Sequence, residues 1–373
     1  MLLYQRINKL SDIPRYLGAV IIFALAACSG PEAVRIGQTE HSATQIQVAA
    51  VGDVMLGTDF PKDTLPPEDL NILAKVTPVL QQADITFGNL EGVLLDGGEP
   101  VKKCKTLSAC YLFRSPTRYA NNLLNAGFDV MSLANNHARD FGEEGRTGSM
   151  LALSAVGIRH SGRLGDVASW RVKGLRVAMI AFAPFGNSHD MLDIPKAVEL
   201  VAELAKTHDI VMVSMHAGGE GLEATRLPFA AELYQGEDRG DAVKFAHAVV
   251  DVGADLVLGH GPHVSRAMEL YKGRLIAYSL GNFCTYWGIS VEGIKGLAPI
   301  LIANLGVNGA FLGGKIVSAR QERPQGLVLD ERGAAARLIA RLTREDFPDT
   351  PLVVDSAGNI SIHLKPNHHK ADK

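Results

Sequence analysis

Short, almost wholly apolar runs alternate along this chain with stretches whose apolar residues recur every three or four positions. Ile46–Val51, Asp84–Phe87, Phe128–Leu133, Ile210–Met215 and Leu256–Leu258 are the short runs, each followed by turn residues. Runs of this length, rich in Val and Ile, read as strands buried on both faces. The spacing predicts helices over Asp69–Gln82, Pro116–Ala126, Gly145–Val156, Lys196–Lys206 and Asp241–Val252. In Asp69–Gln82, residues Ile72, Leu73, Val76, Val79 and Leu80 fall on the inner side, and Pro78 is placed to kink or divide the helix. Arg176–Phe182 and Leu275–Leu280 add strands. The alternation is that of an α/β sheet with crossover connections. From Ala298 the texture changes to alternating strands, Ile300–Leu305 and Gly314–Ala319, with a helix over Ala334–Thr343. These read as the closing sheet of the same domain.

The residues after the apolar runs carry the chemistry. Gly52-Asp53, Gly88-Asn89-Leu90-Glu91, Asn135-Asn136-His137, His216 and Gly259-His260-Gly261-Pro262-His263 each follow a predicted strand, and in open α/β sheets sites form at the carboxyl ends of strands. Converging there, these residues match a two-metal hydrolytic centre. A Gly-Pro loop can aim His260 and His263 at neighbouring metals, and imidazole is a common ligand. Glu91 can bridge two cations. Asn136 offers a neutral amide oxygen, and His137 beside it a proton donor. The glycines after His216 let substrate approach the backbone, with Asn89 and Glu220 as candidate substrate contacts. Arg226, with Glu237, Arg239 and Arg266, either lines a pocket for an anionic substrate or belongs to a solvated surface. His41, His160, His189, His208 and His247 read as structural or solvent-facing, and His368 and His369 as part of a polar tail.

The chain has 373 residues, 47% of them hydrophobic, enough to bury one large core. Net charge is −3 and the basic residues form no stripe, which argues against nucleic acid as a partner. At the amino end Arg6, Lys9 and Arg15 precede the short apolar segment Gly18–Ala27 and then Cys28-Ser29, the form of a secretory signal too short to span a bilayer. Leu25-Ala26-Ala27-Cys28 resembles a bacterial lipobox, which would divide the chain into a signal peptide (1–27), a tether (28–45) and a folded domain (46–373). Cys28 would then carry a lipid anchor on an exported protein facing the periplasm, at the outer membrane if the cell has one. An ordinary signal peptide is the alternative. Export places the other cysteines in an oxidising compartment. Cys104 and Cys110 flank a short loop and are either a disulfide or two free thiols, while Cys284 reads as buried beside Phe283.

Val51–Gly57, Gly88–Gly92, Leu133–His137, Gly253–His263 and Tyr278–Phe283 together closely resemble the CapA family of bacterial capsule or poly-γ-glutamate synthesis (PgsA-like) proteins, in order from about Ile46 to Trp287. The resemblance implies a metallophosphatase-like two-sheet β-sandwich flanked by helices, a four-layer α/β/β/α fold. It implies that Asp53, Glu91 and His263 hold one divalent transition metal (Mn, Fe or Zn) and that Glu91, Asn136, His216 and His260 hold a second, with His137 protonating a leaving group. The chain departs from the phosphoesterase pattern: Met55 stands where that pattern has a His, Glu91 replaces the bridging Asp, and Met215 precedes His216. The first metal thus has fewer protein ligands. The expected role is support of the synthesis, export or anchoring of an anionic polymer, alongside membrane subunits of a polymer synthase. The alternatives are a polymer-binding or assembly subunit without catalysis, and a periplasmic phosphoesterase acting on other substrates.

Overall fold

Two stacked sheets carry the architecture of the computed structural model, which describes residues 45–102 and 111–363. In the first, the strands run Leu352–Val354, Asn359–Ile362, Phe311–Glu322, Leu297–Gly306, Gln45–Met55, Ile85–Leu90, Val130–Ser132, Arg159–Ser161. Asn282–Thr285 pairs in parallel with the far end of Gln45–Met55, and Gly326–Leu329 with Phe311–Glu322. The second sheet runs Met268–Tyr271, Arg274–Ala277, Leu256–His260, Ile210–His216, Leu175–Ala183, Ala168–Val172, with His189–Asp190 beside Leu175–Ala183.

The two-residue period of a strand sorts side chains between layers. In Gln45–Met55, Ile46, Val48 and Ala50 enter the core between the sheets, whereas Ala49 and Val51 join the cluster under the outer helices. In Ile210–His216, Met212 faces the first sheet while Val211, Val213 and Met215 face outward. Helices Tyr119–Ala126 and Gly142–Ala155 cover the outside of the first sheet through Tyr119, Leu123 and Leu153. Ile194–Thr207 and Ala242–Asp251 cover the second through Ala197, Val201, Phe245 and Val249. Each of these last two is started by an Asp, Asp193 and Asp241, whose side chain accepts a first-turn N–H, a cap contributing about 1 kcal/mol. Helix Ala334–Asp346 closes one side, with Ala336 and Ile339 toward the inter-sheet core and Leu338 and Leu342 toward the outer cluster of the second sheet. This is the expected four-layer order, and the strands after Ala298 extend the first sheet.

The structure departs from the predicted elements at several boundaries. The helix expected over Asp69–Gln82 shrinks to Thr77–Leu80, preceded by turns. Pro78 has no N–H to continue an earlier helix, so it opens a helix instead of kinking one. Its predicted apolar face survives, since Ile72, Leu73, Val76 and Leu80 are all buried. The strand expected to reach Leu280 stops at Ala277, because Leu280 turns aside and donates its N–H to the Gly259 carbonyl at 3.1 Å.

Candidate metal centre

The parallel strands of both sheets end at one edge, where the register sets the site. Asp53 pairs with Asn89 on one side and Asn282 on the other, and His216 lies opposite His260. Two glycines permit the approach. A Cβ on Gly52 would stand 1.8 Å from the Gly281 carbonyl oxygen, and that carbonyl accepts the Asp53 N–H at 2.9 Å. Gly261, at φ +116°, folds its loop back onto the Ile210–His216 strand, where a Cβ would meet the Ala217 oxygen at 2.8 Å. His263 then takes φ 57°, a left-handed conformation costly for a residue with a side chain.

That conformation presents His263 Nδ1 to Asp53 Oδ2 at 2.9 Å and to Asn282 Oδ1 at 3.0 Å. Asn89 Nδ2 donates to Asp53 Oδ1 at 2.8 Å and to Glu91 Oε2 at 2.6 Å, and Asn135 Nδ2 donates to Asn89 Oδ1 at 3.0 Å. Burial alone would raise the Asp53 carboxyl, but the His263 hydrogen bond and charge hold it below its ordinary value. Glu91 is pushed up to about 8 by burial and then by the Asp53 charge. Burial acts to lower His263, yet the Asp53 bond and charge, reinforced by Glu91, raise it to about 10. His260 is lowered to about 4 and His216 well below its usual range, in both cases chiefly by burial.

The donor atoms divide into two groups. Asp53 and His263 satisfy each other. Glu91 Oε1, Asn136 Oδ1 and both ring nitrogens of His216 and His260 are buried and have no hydrogen-bond partner among the described residues. An unsatisfied buried polar group costs about 1–3 kcal/mol, and these four residues carry six such atoms. Among the described residues, no group of three or more His, Cys, Asp or Glu already stands in a geometry that would hold a metal ion. In chemistry alone, the mixture of one carboxylate, one amide oxygen and two neutral imidazoles suits a divalent transition metal. The residues of the second expected site therefore fit a metal. Those of the first fit less well: Met55 is buried with its sulfur accepting the Gly57 N–H at 3.3 Å, and Asp53 is engaged with His263.

His137 stands at the same edge. Its Nδ1 lies 2.7 Å from Asp140 Oδ2, which also accepts the Phe113 N–H at 2.9 Å, and Lys102 Nζ lies 3.0 Å from the other Asp140 oxygen. Burial lowers His137 while Asp140 opposes the shift. With Asp140 on Nδ1, the neutral ring leaves Nε2 as its free nitrogen. A cavity of about 190 Å³ is lined by His137, His263, Glu220, Tyr234 and Lys295.

The substrate contacts expected from sequence are placed differently from one another. Glu220 lines this cavity, with Oε2 4.0 Å from His263 Nε2, and pairs with Arg239 at 3.1 Å. Glu237 binds the same arginine. Asn89 is fully buried and acts between carboxylates instead of reaching an open surface. Arg226 lies away from the site, with Nε 2.5 Å from Asp346 and Nη1 3.1 Å from Glu345. Arg266 is wholly buried on Glu232 and supports the loop from beneath. His160, His189, His208 and His247 each have local hydrogen-bond partners, and Cys284 is buried, which pushes its thiol up to about 12. Cys28, Cys104, Cys110, His41, His368 and His369 lie outside the described residues. Sequence reasoning missed Asp140 and the bond from Asn282 to His263. The His-x-x-Asp spacing from His137 to Asp140 was the available signal for the first.

A family model described as bacterial capsule synthesis protein PGA_cap matches residues 47–286. This chain belongs to the PGA_cap family. Its relatives include the PGA biosynthesis protein CapA of Bacillus subtilis, 26% identical over 75% of this chain and 73% of that protein. The capsule biosynthesis protein CapA of Bacillus anthracis is 27% identical over 72% and 68%. A probable polyglutamine synthesis accessory protein of Mycobacterium tuberculosis is 28% identical over 53% and 55%. Among solved structures, this PGA_cap chain is similar to a 5'-nucleotidase precursor from Thermus thermophilus, with a TM-score of 0.39 at 13% identity over 77% of this chain and 54% of that one. It is also similar to the NAD nucleotidase of Haemophilus influenzae, with a TM-score of 0.39 at 10% identity over 81% and 56%. The PGA_cap chain spans about half the length of those two structures.

Proposed function

We propose that this PGA_cap protein is a lipid-anchored, extracytoplasmic component that supports the synthesis, export or anchoring of an anionic, poly-γ-glutamate-like polymer through a metal-dependent hydrolase-type site. The observation that carries the reading is the set of buried, unpartnered donors on Glu91, Asn136, His216 and His260, in a chain of the capsule synthesis family. These four residues would hold the metal, Mn, Fe or Zn. Such an ion supplies Lewis acidity and lowers the pKa of a bound water. Asn89 fixes the Glu91 carboxylate through its amide, and Asn135 fixes Asn89 in turn. His137, oriented by Asp140, holds a proton at Nε2 for a leaving oxygen or nitrogen when its ring is charged.

A second reading, an assembly or polymer-binding subunit that keeps the fold as a platform, is favoured by Met55 and by the Asp53–His263 pair, which occupies the residues of the first expected metal. Elemental analysis of the full chain in detergent, beside a Glu91→Ala, His260→Ala double variant, separates the two. Bound transition metal in the parent that is lost in the variant supports the hydrolase-type site. No metal after reconstitution sinks it and leaves the platform. Retention of the protein in membranes, lost in Cys28→Ser, tests the anchor.

A further inference from the structure

A second cavity, of about 280 Å³, opens on the other side of Asn136. Its walls include Lys102, Arg139, Arg146, Phe185 and Ser188, and the Phe185 ring stands edge-on to the His216 imidazole with centroids 5.6 Å apart. The cavity therefore shares Asn136 with the metal-ligand set and touches His216 through the Phe185 ring.

Its lining carries three cations, Lys102, Arg139 and Arg146, and no carboxylate. Arg146 has a side chain only 1% exposed, on the helix Gly142–Ala155 whose other face packs on the first sheet. Its Nη2 meets Glu143 Oε1 at 2.5 Å and its Nη1 reaches Ser188 Oγ at 3.4 Å, while its Nε has no partner among the described residues. Glu143 is also shared with Arg139 at 2.7 Å and Arg163 at 3.4 Å. Lys102 is opposed by Asp140, which His137 also engages. Three lining cations are thus opposed by two carboxylates behind the wall, one of them shared with Arg163, and the most buried cation keeps an N–H unused. A buried guanidinium so incompletely paired is costly unless a further acceptor arrives, and its planar fork matches an oxyanion.

We propose that this cavity is an oxyanion subsite, taking the carboxylate or phosphate that flanks the bond held at the metal-ligand set. The proposal rests on the hydrolase-type reading for its purpose, and on Arg146 and its surroundings for its existence. At about 280 Å³ the cavity lies just below the about 300–1,000 Å³ of small-molecule sites, so it suits one acidic group and not a long stretch of polymer.

The test is calorimetric titration of the full chain in detergent, with chelator present so that anion affinity reports the protein alone. The probes are inorganic phosphate and a γ-linked glutamate tetramer. Arg139→Ala and Arg146→Gln are expected to weaken the better probe about tenfold or more, while Arg226→Ala, which removes the same charge elsewhere, leaves it unchanged. Stronger binding of the tetramer assigns a carboxylate, stronger binding of phosphate assigns a phosphoester, and both support the subsite. Should Arg146→Gln fail to fold, Arg139→Ala decides, because its side chain is 45% exposed. Affinity unchanged in Arg139→Ala, or no binding by the parent, overturns the subsite. Metal content, measured without chelator on the same variants, keeps the two readings apart. Metal in the parent with anion affinity unchanged in Arg139→Ala strikes only the subsite, and a metal-free parent strikes only the hydrolase-type reading.

Discussion

Removing the Asp140 carboxylate separates a structural from a chemical role for the pair it makes with His137. Asp140→Ala leaves the Phe113 N–H, now bonded at 2.9 Å in a residue 3% exposed, without an acceptor, at about 1–3 kcal/mol. It removes the 2.7 Å bond to His137, about 1 kcal/mol net. It also unpairs Lys102, whose side chain is 30% exposed, so solvent limits that loss to about 0.5–1 kcal/mol. The expected destabilisation is about 3–5 kcal/mol, read as a shift of the urea midpoint. Asp140→Asn keeps an oxygen for Phe113 and should lose only about 1–2 kcal/mol. Its amide cannot stabilise a charged imidazole, however, so His137 should protonate at lower pH, followed by nitrogen NMR of the ring. Equal stability loss in the two variants, or an unmoved His137 titration, would refute the assignment of Asp140 as the residue that positions His137.

Two further outcomes follow from the same edge of the sandwich. Met55→His restores a ligand at the position where the phosphoesterase pattern has one, and elemental analysis should then find more metal per chain than in the parent; an unchanged ratio would show that Met55 is not what limits the first site. With chelator present, stability should fall as pH rises above about 6.5. The fold favours the proton on both Glu91, at about 8 against 4.5, and His263, at about 10 against 6.5, so above about pH 6.5, where the lowered His137, His216 and His260 are neutral in both states, the native state binds more protons than the unfolded chain. The stabilisation is present below about pH 4.5 for Glu91 and below about 6.5 for His263, and is lost as pH passes through about 8 and about 10. Urea midpoints at about pH 6.5, 8 and 9.5 test this. With metal added the increment should grow with pH instead, because ligands must shed protons to bind, and a flat profile under both conditions would contradict the reasoning.

The sequence made the strands legible because both their faces are buried, so that composition alone marks them. The ends of those strands were legible for the same reason, since a polar residue after an uninterrupted apolar run stands out. Helix Asp69–Gln82 misled because an apolar face with helical spacing also suits a series of turns once Pro78 blocks the ladder. Asp140 was overlooked although the His-x-x-Asp spacing marks it, because that spacing brings the two side chains together only where the chain turns, at His137–Asp140. Arg146 was hidden because an arginine among Gly142–Ala155 looks like a solvent-facing helix residue, and its burial is set by Ser188 and Glu143, remote or unremarkable in sequence. Arg226 was left between two readings, since an isolated cation gives no sign of whether it meets a cavity or the acidic end of another helix, here Glu345 and Asp346.

The strand Gln45–Met55 lies in the middle of the first sheet, yet its antiparallel neighbour is Leu297–Gly306, and the residues joined between Asp53 and His263 are 210 positions apart. The first of the described strands to be synthesised thus waits for one about 250 residues later before its second edge is covered, and pairings so distant in the chain form slowly. A growing chain cannot complete the edge of the sandwich while its carboxyl-terminal strands are still being made. If such a chain is threaded through a membrane unfolded, the donors on Glu91, His216 and His260 come together only on the far side, and any ion they hold would be drawn from that compartment's supply, not the cytosol's.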